Sequence, residues 1–294
     1  MVGSAIFAAA LGRRAHGAGK DKIDLVDVTG TDAKAMVRAA VKELGGIGRF
    51  VKKGDYVVLK PNIGFASPPD WGCATHPDTV AAMAELCLEA KAKQVLVIDF
   101  PLARSTKILE RNGIGPALAA LPAVKVKLLS EQGEFQKVDV KGGVALKSVE
   151  LAKDVLSADV LINLPQAKVH HATGVSFGLK NAMGIIWDRK VFHTDHDISQ
   201  AVADLGQLVK PQLTLLDATR ALLTNGPAGP GDVEAVGHIV AGANVVSVDA
   251  YGLTLARFDQ KQMTPADTPH IALAAKAGLG EIDLSKLKVK KVAV

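Results

Sequence analysis

Two hydrophobic periods take turns along most of this chain. Short apolar runs with the compactness of strands fall over 23–28, 56–59, 94–98, 124–129, 160–164, 213–216 and 237–241. Between them, apolar positions at helical spacing predict helices over 32–44, 77–90, 106–121, 175–183, 198–209 and 246–258. Strands alternating with helices in this way predict an α/β fold: a Rossmann-like, mostly parallel sheet with helices on both faces. The stretch 136–149 reads as a hairpin, so a small inserted subdomain is expected at about 105–150 within a single α/β domain over 21–294. No short-period repeat or low-complexity linker divides it, and Asn225-Gly-Pro-Ala-Gly-Pro-Gly231 is the clearest loop.

Composition narrows the function classes. The chain has 22% charged and 48% hydrophobic residues, which fits a folded globular protein rather than a disordered one. A net charge of +5 and 4% aromatic residues leave little basis for a nucleic-acid groove. The lysines of Lys286-Leu-Lys-Val-Lys-Lys291 alternate with apolar residues as on a strand with a solvated face. No run approaches the ~20 apolar residues of a spanning helix, so no integral membrane segment is expected. Residues 1–20 contain a short apolar run and Ala8-Ala-Ala10, and read either as a leader or as a clipped export signal. That leaves cytoplasmic and exported, periplasmic locations both open.

Candidate chemistry collects just beyond the carboxyl ends of the expected strands. Lys60 and Asn62 follow 56–59, Asp99 follows 94–98, Lys168 and His170 follow 160–164, and Asp217 follows 213–216. In an open parallel sheet these ends line the ligand crevice, so the four positions are expected to share one pocket. A lysine at a partly desolvated strand end needs an anionic or carbonyl partner, which points to an anionic small molecule. Asp99 and Asp217 read equally well as helix caps. In an extended segment Lys168 and His170 face one way and His171 the other.

The richest segment is Val160 to Gly184, followed by Arg189, His193, Asp195, His196 and Asp197. A helix beginning at Val175 would place Ser176 and Lys180 on one face near a helix N-terminus, where free N–H groups favour an anion. Gly174 stands where close backbone approach to a ligand is expected. The imidazoles and carboxylates of His193, Asp195, His196 and Asp197 have donor types suited to a divalent metal, although Thr194-Asp195 also reads as a helix start. His170, His193 and Lys180 are the expected catalytic groups. Lys60, Asn62, Lys168, Gly174, Lys180 and Asn181 are the expected cofactor-binding set, and His170, His193, Asp217 and Asp249 the expected metal ligands.

Taken together, Val58-Leu-Lys-Pro-Asn62, Thr75-His-Pro77, Leu161-Ile-Asn-Leu-Pro165, Lys168-Val-His170, Thr173-Gly174, Leu179-Lys-Asn181, His193, Asp217, Asn225-Gly-Pro227, Gly229 and Val248-Asp249 resemble domain-of-unknown-function family 362. The resemblance covers roughly residues 57–257 and carries no settled reaction. It implies association with iron-sulfur systems, hence a possible iron-sulfur redox partner, and it strengthens the export reading of the leader. The chain itself has only Cys73 and Cys87, so a self-contained 4Fe-4S cluster is not expected. A homodimer sharing Cys73 is the arrangement that stays open. A fainter similarity is to the N-terminal domain of nickel-pincer lactate racemase. By that resemblance Lys180 would hold a nucleotide-derived cofactor, while His170 and His193 would move protons or bind metal. The reading is redox or proton-transfer chemistry on an anionic ligand or cofactor, against a non-catalytic accessory protein of an iron-sulfur system.

Overall fold

The computed structural model describes residues 23–102, 105 and 107–294. The expected leader and the start of the helix expected from 106 lie outside them. In chain order the first half comprises β1 (Leu25–Thr29), α1 (Ala33–Glu43), β2 (Tyr56–Pro61), α2 (Pro77–Glu89), β3 (Gln94–Asp99), α3 (Ile108–Arg111), α4 (Ile114–Ala119) and β4 (Val124–Leu128). A hairpin of β5 (Phe135–Asp139) and β6 (Ser148–Ala152) follows, then α5 (Lys153–Ser157), β7 (Val160–Leu164), β8 (Gln166–His170), β9 (Gly174–Ser176) and α6 (Gly178–Asn181). The remainder is α7 (Val191–Thr194), α8 (Ile198–Leu208), β10 (Leu213–Leu222), β11 (Val233–Glu234), β12 (His238–Gly242), α9 (Val245–Gly252), α10 (Pro269–Lys276) and β13 (Val289–Ala293).

The main sheet runs β13-β1-β12-β10-β7-β2-β3-β4, and only β12 opposes its neighbours on this path. This is the mostly parallel α/β architecture that the hydrophobic runs predict. Strand alternation divides the core in two. Val57 and Leu59 of β2 pack with α1, α2 and α4, through residues such as Met36, Met83 and Ile114, on one face. Val58 packs on the other with α8, α9, α10 and the hairpin, through Val202, Val248, Ile271 and Phe135. Each fully buried aliphatic or aromatic side chain contributes about 1.5–3 kcal/mol. Among the described residues no helix is long and apolar enough to cross a membrane.

Several expected elements take a different form. β4 joins the edge of the main sheet, so within 105–150 only the β5–β6 hairpin forms a separate, two-stranded sheet. The expected helix over 106–121 is split at Gly113, which adopts φ +78° between α3 and α4. β10 extends to Leu222, and α9 stops at Gly252 rather than at 258. The expected helix over 175–183 is the main correction. Gly174–Ser176 is a strand paired with β8, and α6 begins only at Gly178. Its start is set from 71 residues away, because both oxygens of Asp249 on α9 accept the Gly178 and Leu179 N–H groups, at 2.7 and 2.8 Å. A local sequence window cannot show such a cap.

β2 is where the sheet order turns: β3 and β4 lie to one side of it, β7 and β10 to the other. A reversal of this kind opens a crevice at the carboxyl ends of the strands.

Candidate functional site

A cavity of ≈ 210 Å³ sits at that crevice, on the face of the sheet that carries Val58 and Lys60. Lys60 and Asn62 reach it from the end of β2, and Asp99 and Phe100 from the end of β3. β8 supplies Lys168 and His170, β9 supplies Ser176, and α6 supplies Lys180 and Asn181. Arg189, Lys190 and His193 close the far wall.

The floor is electrically closed. Lys60 Nζ lies 2.9 Å from Asp99 Oδ1, with both side chains almost wholly buried. Burial pushes the Lys60 ammonium down, and the adjacent Asp99 carboxylate opposes that push. The other Asp99 oxygen accepts the Ile63 and Gly64 N–H groups at 2.7 and 3.1 Å. Gly184 lets the chain pass over the pair, since a Cβ there would stand 2.1 Å from Asp99 Oδ1 and 2.7 Å from Lys60 Nζ. Asn181 ties floor to wall: its amide donates to Lys60 O and Asn163 Oδ1, and its oxygen accepts from Lys60 and Asn62.

The wall is electrically open. Lys168 Nζ donates to the Cys73 and Pro227 carbonyls and to Asn62 Oδ1, and stands 4.9 Å above the Phe65 ring. These partners are polar or polarisable but uncharged. Burial lowers its pKa to about 8. Lys180 is 8% exposed, and its ammonium has no hydrogen-bond or ion-pair partner among the described residues. Burial, with Lys168 and Arg189 adding repulsion, lowers it to about 7.

His170 is buried, and its Nδ1 accepts the Ala172 N–H at 3.1 Å. The neutral ring therefore carries its proton on Nε2. Burial first, then Lys180 and its other cationic neighbours, depress it to about 2, so it stays neutral. His171 is exposed and stacks on it, centroids 4.8 Å apart. His193 is exposed at the rim, lowered by partial burial and by Lys180.

Of the expected site residues, Lys60, Asn62, Lys168, His170, Lys180, Asn181 and His193 line one cavity. Gly174 does not. It takes φ +74° at the turn into β9, where a Cβ would press on the Asp267 carbonyl at 3.0 Å. Asp217 turns to the opposite face, accepting the His76 N–H and the Thr219 N–H and hydroxyl. Asp249 is occupied in capping α6, and burial lifts it to about 7 against the pull of those two N–H groups. The α6 N-terminus is thus already taken and offers no free anion site. Asp197 caps α8, and Asp195 and His196 lie outside the cavity.

The expected metal set is not assembled. Among the described residues no group of three or more His, Cys, Asp or Glu side chains could hold an ion. His170 and His193 share the cavity with two ammonium groups that no carboxylate touches among the described residues, a setting that disfavours a divalent cation. Cys73 is fully buried and bonded to the Ala228 carbonyl, which removes it from any cluster shared at a surface.

Arg189 and Phe100 belong to the cavity but not to the expected set. Arg189 donates to the Phe100 carbonyl at 2.6 Å and lies 4.2 Å over the Phe100 ring, whose other neighbours are Trp187 and Phe135. The signal that could have found Arg189 is its place in sequence between the glycine-bearing turn at Gly184 and His193.

Residues 57–254 match the model of the family described as Domain of unknown function (DUF362). The chain belongs to this family. A curated relative, the thylakoid-associated protein sll1697 of Synechocystis sp., is 31% identical over 252 residues, covering 83% of this chain and 75% of that protein. Among solved structures, the chain is similar to the lactate racemase apoprotein of Thermoanaerobacterium thermosaccharolyticum, with TM-score 0.46 and 12% identity over 68% of this chain. It is also similar to a protein of Thermotoga maritima, with TM-score 0.43 and 14% identity over 84% of this chain. It spans 52% of the racemase and 60% of the Thermotoga protein.

Proposed function

We propose that the cavity of this DUF362 protein binds a small anionic molecule and transfers a proton on it. The observation that carries the reading is the pair Lys168 and Lys180, two buried ammonium groups in one cavity with no carboxylate in contact among the described residues. Among the described residues Asp99 is the one acid lining the cavity, and Lys60 already meets it. An uncompensated buried charge costs several kcal/mol, and an incoming anion removes that cost. The size of the cavity points the same way. At ≈ 210 Å³ it falls below the ~300–1,000 Å³ of pockets for drug-sized ligands, so a small acid suits it and a dinucleotide does not.

Two imidazoles equip the site for proton transfer. His170, neutral with its proton on Nε2, is a donor able to polarise a carbonyl or hydroxyl oxygen. His193, neutral at pH 7, is the group able to accept a proton. The arrangement requires no metal.

Melting the protein with formate, acetate, oxalate, malonate, lactate, pyruvate and phosphate tests the reading. At least one should stabilise it, by about 2.7 kcal/mol at a hundredfold excess over Kd, and Lys168→Met and Lys180→Met should each remove most of that gain. Equal stabilisation of the variants, or none in the wild type by any member, contradicts the proposal. Anion binding restores protonation of Lys180, so affinity should fall as pH rises above about 7, by up to about tenfold per unit.

A further inference from the structure

We propose that Lys180 captures the carbonyl carbon of a small 2-oxo acid as an iminium ion. The inference rests on the anion-site reading above and adds a covalent step to it. Two lysines face one cavity in opposite conditions. Three oxygen acceptors hold Lys168 in place, and they favour its charged form. Lys180 is nearly as buried but has no acceptor among the described residues, so its ammonium is left for a ligand to stabilise. Divergent environments for like groups assign divergent roles. Lys168 is the fixed counter-charge for a carboxylate, and Lys180 is the amine free to attack.

A ligand that uses both has a carboxylate and, next to it, an electrophilic carbon. A 2-oxo acid is the smallest such molecule, and it suits the cavity volume. The two lysines lie on adjoining elements, since Lys168 pairs with Ser176 across β8–β9 and α6 begins two residues later. The direction of the shift at Lys180 agrees with this role: an amine near 7 is about half unprotonated at pH 7, against roughly 0.04% for a lysine at 10.4.

The step balances without an oxidant or reductant. The Nζ lone pair forms the N–C bond while the carbonyl π pair moves to oxygen. The proton that Nζ released before attack and a second one that the nitrogen sheds after it both pass to that oxygen, which leaves as water when the freed nitrogen pair forms C=N. One ammonium and one ketone give one iminium ion and one water. The product keeps a positive charge beside the carboxylate. It also acidifies the C3–H, whose proton His193 can take as the C–H pair becomes C=C and the C=N pair returns to nitrogen.

The test is reductive trapping with pyruvate and cyanoborohydride at pH 7, followed by peptide mapping. The expected result is an adduct on Lys180 about a hundredfold over surface lysines, lost in Lys180→Arg and Lys180→Met and suppressed by oxalate, which binds as an anion but offers no ketone. Lys168→Gln should weaken trapping about tenfold. If pyruvate raises the melting temperature but no adduct forms on Lys180, the covalent step is overturned and the anion site stands. If pyruvate neither stabilises nor labels while another anion stabilises, the 2-oxo acid assignment fails. Uniform labelling that persists in both Lys180 variants also overturns the proposal.

Discussion

On the β2–β3 floor of the cavity, Lys60 meets Asp99 at 2.9 Å. On the β8–α6 wall a few residues away in space, Lys168 meets only uncharged groups and Lys180 meets no partner among the described residues. All three lysines are buried to a similar degree. Burial therefore does not separate them; the presence of a counter-charge does. The floor is satisfied within the protein and belongs to the scaffold, while the wall is the part that the proposed anion would complete.

The largest expected effect breaks the floor. Asp99→Ala leaves the Lys60 charge and two loop N–H groups without their partner, so urea unfolding should lose about 3–5 kcal/mol. Lys180→Met removes an uncompensated charge instead, and should leave stability unchanged or raise it by about 1 kcal/mol. Equal losses in the two variants would erase the distinction between floor and wall.

Asp249 supplies the next test. Asp249→Ala orphans the Gly178 and Leu179 N–H groups that set the start of α6, costing about 1–3 kcal/mol for each. A chelator should leave the melting temperature of the wild type unchanged. A drop on chelation would instead show a bound metal and contradict the reading that the site works without one.

A smaller effect is expected from pH. The folded-state pKa of Lys180 lies near 7, below that of the unfolded chain, so the unfolded state binds more protons between about 7 and 10 and stability rises with pH across that window. Lys168, near 8, acts in the same direction over a narrower range. Denaturant titrations should show a rise of at most about 1.4 kcal/mol per pH unit from each of the two groups, reduced in Lys180→Met. A rise of equal size in that variant would place the titrating group elsewhere.

The smallest effect concerns how the wall is braced. Phe100 stacks on Trp187 at 5.4 Å and packs against Phe135 of the inserted hairpin, and Arg189 rests on Phe100. Trp187→Leu should cost about 0.5–1.5 kcal/mol and weaken anion binding about threefold through a less fixed Arg189. Calorimetric titration of the stabilising anion into the variant checks it, and unchanged affinity would detach the hairpin from the site.

Where hydrophobic periodicity was unmixed, the sequence was readable. β2 and β3 have uninterrupted apolar centres, β7 is broken only by Asn163, and α1, α2 and α8 show helical spacing behind clear starts such as Asp32, Pro77 and Asp197. The rule that ligands gather at strand ends was enough to collect Lys60, Asn62, Lys168 and His170. It failed at Asp217 because consecutive residues of β10 face opposite sides of the sheet: Leu216 faces the cavity side, and Asp217 the other. The β8–β9 hairpin was hidden for a related reason. Gln166, Lys168 and His170 are buried polar residues, and a buried polar strand resembles a surface turn to any hydrophobicity pattern. The true start of α6 depends on Asp249, a contact that only the folded chain makes.

Titration calorimetry in buffers of different ionisation enthalpy tests the central claim most directly. At pH 7.5 the stabilising anion should bind the wild type with net proton uptake, as Lys180 and Lys168 gain the counter-charge they lack. Uptake should shrink in Lys180→Met and vanish in the double variant with Lys168→Met. Binding without proton uptake, or uptake that persists in the double variant, would contradict an account in which these two ammonium groups are the site.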